Sequence, residues 1–77
     1  MMTDELLRAV LRHLLSAEEA QDGRFQQSDM QDAIKRAYKT DDGWLTRAEW
    51  LEGAGYVEQH TTIWYVLTDE GRRLAGG

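Results

Sequence analysis

The sequence predicts a mainly α fold with a small β-hairpin (α+β): three core helices, a two-stranded hairpin and a short C-terminal helix. Three observations predict it. Leucines recur at three- and four-residue intervals near the start. A pair of glycines, Gly53 and Gly55, ends a helical pattern and is followed by the aromatic and β-branched runs "YVEQH" and "IWYVL". Thr68 then opens a last helical turn, "DEGRRLA".

Taken in order, Leu6, Leu7, Val10, Leu11, Leu14 and Leu15 form the stripe of an amphipathic helix from Thr3 to about Ser16. Thr3 is its N-cap, Asp4 and Glu5 suit the positive end of the helix dipole, and Asp4 stands four residues before Arg8, a pairing distance. Glu18 and Glu19 sit poorly at a helix C-terminus, and "SAEE" also reads as a capping box starting a fresh turn at Ser16. Asp22-Gly23 marks a turn, after which Phe25 is a single buried anchor on a short extended segment.

The second helix is expected from Ser28, with Ser28 and Gln31 as its capping box and Met30, Ile34 and Ala37 or Tyr38 facing inward. Lys35, Arg36 and Lys39 gather in its last turns, where they complement the negative helix end. A third helix, capped by Asp41 or Asp42, runs to Gly53 with Trp44, Ala48 and Leu51 inward. Val57, Tyr65 and Leu67 are the inward set of the hairpin, and Thr68 caps the closing helix, whose Leu74 returns to the core. The expected core is thus Leu7, Leu11, Leu14, Ile34, Leu51, Val57 and Leu67.

At 77 residues the chain reads as one domain, 1–77, too small for a large enzymatic cleft; a domain of this size buries only about 60–65% of its unfolded surface. It has no Cys, so neither a disulfide nor a thiolate metal site is available. The start "MMTDELL" lacks the basic region of a signal peptide, and the longest apolar run is the five residues from Ile63 to Leu67. A soluble, cytoplasmic protein without membrane association is expected. His13 and His60 have no third ligand at metal spacing, "TDDGWLTRAE" lacks two carboxylates of a calcium loop, and no nucleophile-base-acid arrangement stands out. The reading is therefore no enzyme, no metal and no cofactor.

Helix, helix, helix, hairpin, short helix is the winged helix-turn-helix order. "LTRAEWLEGAGYVEQ" resembles the reading helix and the link into the wing of MarR-, ArsR- and PadR-like transcriptional regulators. "WYVLTDEGRRLA" resembles their second wing strand and closing helix, with an aromatic, a Leu-Thr pair and a Gly in the pattern Tyr-x-Leu-Thr-x-x-Gly. The resemblance covers residues 28–75 and specifies fold more than function, because the same scaffold also docks proteins.

Carried over by position, the resemblance implies that the third helix enters the major groove of duplex DNA, with Thr46, Arg47 and Trp50 toward base edges and Leu45, Ala48 and Leu51 leaning partly or wholly inward. Lys35, Arg36 and Lys39 would approach flanking phosphates. Against this stand nine basic and fourteen acidic side chains, a formal charge of −5, and no Lys or Arg between residues 50 and 71. Asp41, Asp42, Glu49 and Glu52 surround the reading face, and the wing tip "QHTT" carries no cation.

Two functions follow. The first is a small DNA-binding transcriptional regulator. The alternative is a protein-interaction module of the kind compact phage or prophage genes encode, docking through Trp50 and Trp64 with their acidic neighbours. With no helix after the closing one, a homodimer would use the first or last helix itself.

Overall fold

The computed structural model describes residues 2–76. The order is α1 (Asp4–Ala20), α2 (Gln27–Tyr38), α3 (Trp44–Gly53), β1 (Val57–Gln59), β2 (Tyr65–Leu67) and α4 (Asp69–Gly76). The three-helix core, two-stranded hairpin and short C-terminal helix are those expected from the sequence. All seven expected core residues are buried, and Phe25, Val10, Met30, Ala33 and Ala48 join them. No helix among the described residues is long and apolar enough to cross a membrane.

Thr3 caps α1, its Oγ1 accepting from the Leu6 N–H at 3.3 Å. Arg8 donates to the Leu74 carbonyl on α4, at 3.4 Å, rather than pairing with Asp4. The helix does not break at Ser16. It continues to Ala20, where the buried Glu18 finds partners: its Oε2 accepts from the Leu67 N–H of β2 at 2.9 Å, and its carboxylate pairs with Arg72 of α4 through both terminal guanidinium nitrogens. A carboxylate that sits poorly at a helix C-terminus by sequence thus joins α1, β2 and α4.

Asp22 and Gly23 turn the chain with φ values of 63° and 83°. Phe25 then pairs with Tyr65 as an isolated antiparallel bridge, through hydrogen bonds of 2.9 and 2.7 Å, and the two rings stack 6.3 Å apart. The expected buried anchor is also a third rung beside the hairpin. Helix α2 starts earlier than its Ser28 signal suggested. Asp29, not Gln31, reaches back, accepting the Gln26 N–H at 2.8 Å and the Gln21 side-chain amide at 3.1 Å.

The start of α3 also differs. Neither Asp41 nor Asp42 caps it; Gly43 does so from the left-handed region, at φ 70°, without a side-chain cap. Val57 pairs with Leu67 and Gln59 with Tyr65, so Val57, Tyr65 and Leu67 share the buried face. Thr68 opens α4 as expected, its Oγ1 accepting the Gly71 N–H at 3.1 Å while donating to the Gly55 carbonyl at 2.6 Å. Gly71 lies so close to the chain entering β1 that a Cβ there would stand 2.3 Å from the Tyr56 carbonyl oxygen. The Leu-Thr-x-x-Gly pattern is therefore a packing requirement of this corner.

Candidate recognition surfaces

Helix α3 buries Ala48 and Leu51 and turns Leu45, Thr46, Glu49 and Glu52 to solvent. Leu45, Glu49 and Glu52 follow one another at helical spacing and form one stripe, with Thr46 beside it. Leu45 was expected to lean inward, yet it is 46% exposed; lying about 120° around the helix from Leu51, it cannot share that residue's face. Trp44, expected to be buried, is half-buried.

The hairpin turn is closed by the His60 and Thr61 N–H groups on the Trp64 carbonyl, at 2.8 and 3.0 Å. That closure leaves Ile63 outside, 60% exposed. Leu45 and Ile63 are the exposed large hydrophobic side chains among the described residues, one on α3 and one at the hairpin tip. Neither the outward face of α3 nor the turn carries a Lys or Arg.

Arg47, the cation of α3, is half-buried, with its guanidinium 4.0 Å over the Tyr38 ring and its Nη1 donating to the Asp42 carbonyl at 2.9 Å. Gly43 makes room for this path: a Cβ at that position would lie 3.1 Å from the Arg47 Nη1. Arg47 thus fastens the turn between α2 and α3 rather than standing free beside Thr46. The Tyr38 hydroxyl in the same contact is buried without a hydrogen-bond partner.

Trp50 and Trp64, read as outward, are both half-buried. Gly55, at φ 86°, returns the chain so that Tyr56 packs on Trp50, with centroids 6.0 Å apart and rings tilted by 35°. Trp64 lies under Arg24, whose guanidinium is 4.0 Å from the ring centroid.

Lys35, Arg36 and Lys39 are exposed along the last turns of α2. With Asp32 and, from α1, His13, they line an open, shallow groove. Arg36 is held by Asp32 through Nε at 2.8 Å, while Lys35 and Lys39 take part in no ion pair among the described residues. Sequence reasoning located these three cations but neither His13 nor Asp32 as their neighbours. Only the packing of α1 on α2 brings those two into the groove. It also missed Leu45 and Ile63, although an isoleucine inside a polar turn was a signal.

Comparison with known proteins adds no relative to these surfaces: no family model, curated protein or solved structure matches the chain.

Proposed function

We propose that this chain is a protein-docking module of winged-helix shape, which presents α3 and the hairpin turn to a basic, partly apolar surface on another protein. The observation that carries the reading is the makeup of the outward face of α3, with Leu45 exposed, Glu49 and Glu52 beside it and no cation, while the hairpin turn exposes Ile63 as a separate apolar contact. A face that reads a duplex must approach a dense row of phosphates, and two carboxylates without a compensating cation oppose that approach. Apolar side chains rimmed by charge are the usual makeup of a protein interface. The half-buried Trp50–Tyr56 pair borders the Thr46 side of the same face, since Trp50 follows Thr46 by one helical turn.

The reading is tested by displaying random peptides against the immobilised chain. Enriched peptides are expected to combine Lys or Arg with large apolar residues. Their binding should fall with the double change Glu49→Lys and Glu52→Lys, and with Leu45→Ser. Enrichment unaffected by either change would overturn the proposed face.

Regulation through duplex DNA is the second reading, supported by the gathering of Lys35, Arg36 and Lys39 on one side of α2. It requires Arg47 to leave Tyr38 and the Asp42 carbonyl before it can join Thr46 at base edges.

A further inference from the structure

We propose that the groove between α1 and the last turns of α2 is a binding site for a compact phosphoryl ligand, a phosphate ester or an oligophosphate. The inference is independent of protein docking through α3. It starts from the use of cations in a chain whose formal charge is −5. Arg24 lies over Trp64, Arg47 over Tyr38, Arg72 and Arg73 pair with Glu18 and Glu70, and Arg8 donates to the Leu74 carbonyl. Lys35 and Lys39, like Arg12 on α1, have no such engagement among the described residues, and the lysines' spacing of four projects both ammonium groups from one side of α2.

Arg36 completes the groove's positive charge in a particular geometry. Asp32 accepts from its Nε at 2.8 Å, and neither terminal guanidinium nitrogen has a protein hydrogen-bond partner among the described residues. A guanidinium anchored at Nε presents its two terminal nitrogens as a fork, which clasps two oxygens of one oxyanion. Asp32 is thus a positioning residue. It cancels only one of the three positive charges, and His13 lines the opposite wall from α1. Charge complementarity at the negative end of α2 accounts for cations there. It does not account for a fork held by its own carboxylate or for a histidine contributed to the same groove by a second helix.

The donors suit a phosphoryl group better than a carboxylate. A carboxylate is planar and singly charged, so it would fill the Arg36 fork and leave both lysines unneutralised. A phosphate monoester carries about −1.5 to −2 charge and three terminal oxygens. Those oxygens can meet donors arriving from Arg36, from the lysines and from His13. The groove lining contains no Phe, Tyr or Trp on which a base could stack, so recognition rests chiefly on the phosphoryl group itself.

The test is a titration of the full chain with inorganic phosphate and with tripolyphosphate at low ionic strength, followed by backbone amide shifts. Saturable shifts confined to the neighbourhood of His13 and to the stretch from Asp32 to Lys39 are expected. Lys35→Gln with Lys39→Gln should weaken tripolyphosphate binding about tenfold or more. Arg36→Lys, which keeps the charge and removes the fork, should also weaken it, whereas Arg24→Gln, beside Trp64 and outside the groove lining, should not. Each variant's amide dispersion shows whether it is folded, and none of these changes alters α3, so failure here is separable from failure of the docking reading. Shifts spread over Arg24, Arg72 and Arg73, full affinity in Arg36→Lys, or binding of a short DNA duplex without binding of tripolyphosphate would each overturn the proposal.

Discussion

At Glu18 the carboxylate is almost wholly withdrawn from water, its side chain 2% exposed, while its partner Arg72 remains 45% exposed. The two halves of the pair therefore respond differently to removal. Arg72→Met leaves a buried carboxylate without its counterion, a loss that costs about 3 kcal/mol or more. Glu18→Gln keeps an acceptor for the Leu67 N–H and leaves a half-solvated guanidinium, so it should cost no more than about 1–2 kcal/mol. Denaturant unfolding of the two variants would show that order; the reverse would mean the pair is not buried as described. Tyr38 gives a second case. Its ring supports Arg47 while its buried hydroxyl has no partner, so Tyr38→Phe should leave stability unchanged or raise it by up to about 1 kcal/mol. A clear loss of stability on that change would reveal a hydrogen bond at the hydroxyl.

Element boundaries depend on contacts that lie far away in sequence, and this decides which parts of the fold could be read. The leucine stripe of α1, the Thr68 cap and the inward set of the hairpin are local periodicities or caps, and each was legible. The continuation of α1 past Ser16 was not, because the partner that Glu18 finds there, Arg72, lies fifty-four residues on. The early start of α2 rests on a nearer contact, Asp29 answering Gln26 and Gln21, which was masked because Ser28 offered the stronger capping signal. The candidate site was legible as residue types but not as orientation. Arg47 was found, but its stacking on Tyr38 was not, because the path depends on the left-handed Gly43. Gly71 tests the corner that joins β1 to α4, with Gly53 as the comparison outside it. Gly71→Ala forces a Cβ against the Tyr56 carbonyl and should cost about 2–3 kcal/mol. Gly53→Ala meets nothing within 4 Å at the end of α3 and should stabilise by about 0.5–1 kcal/mol. Thermal melts of both variants compare them; equal effects would contradict the close approach at Gly71.

For the molecule as a whole, a small apolar core supports surfaces of opposite character. Domains of this kind are stable by about 5–15 kcal/mol in total, so one buried leucine is a large share. Leu51, fully buried where α3 meets the core, should cost about 2–4 kcal/mol when replaced by Ala, measurable as a shift in denaturation midpoint. A change below about 1 kcal/mol would mean that the core closes around the gap. On the outside, α3 and the hairpin tip present Leu45, Ile63, Glu49 and Glu52, while the free lysines lie in the groove of α1 and α2. The central claim is that the α3 face meets protein rather than duplex DNA. Selection of a random-sequence duplex library on the intact chain at low salt tests it most directly. The account predicts no enriched motif, and any residual retention should be weak, lost on adding salt and indifferent to Thr46→Ala and Arg47→Ala. An enriched motif whose discrimination falls by about 1–3 kcal/mol on Arg47→Ala would contradict the account and place a duplex on α3.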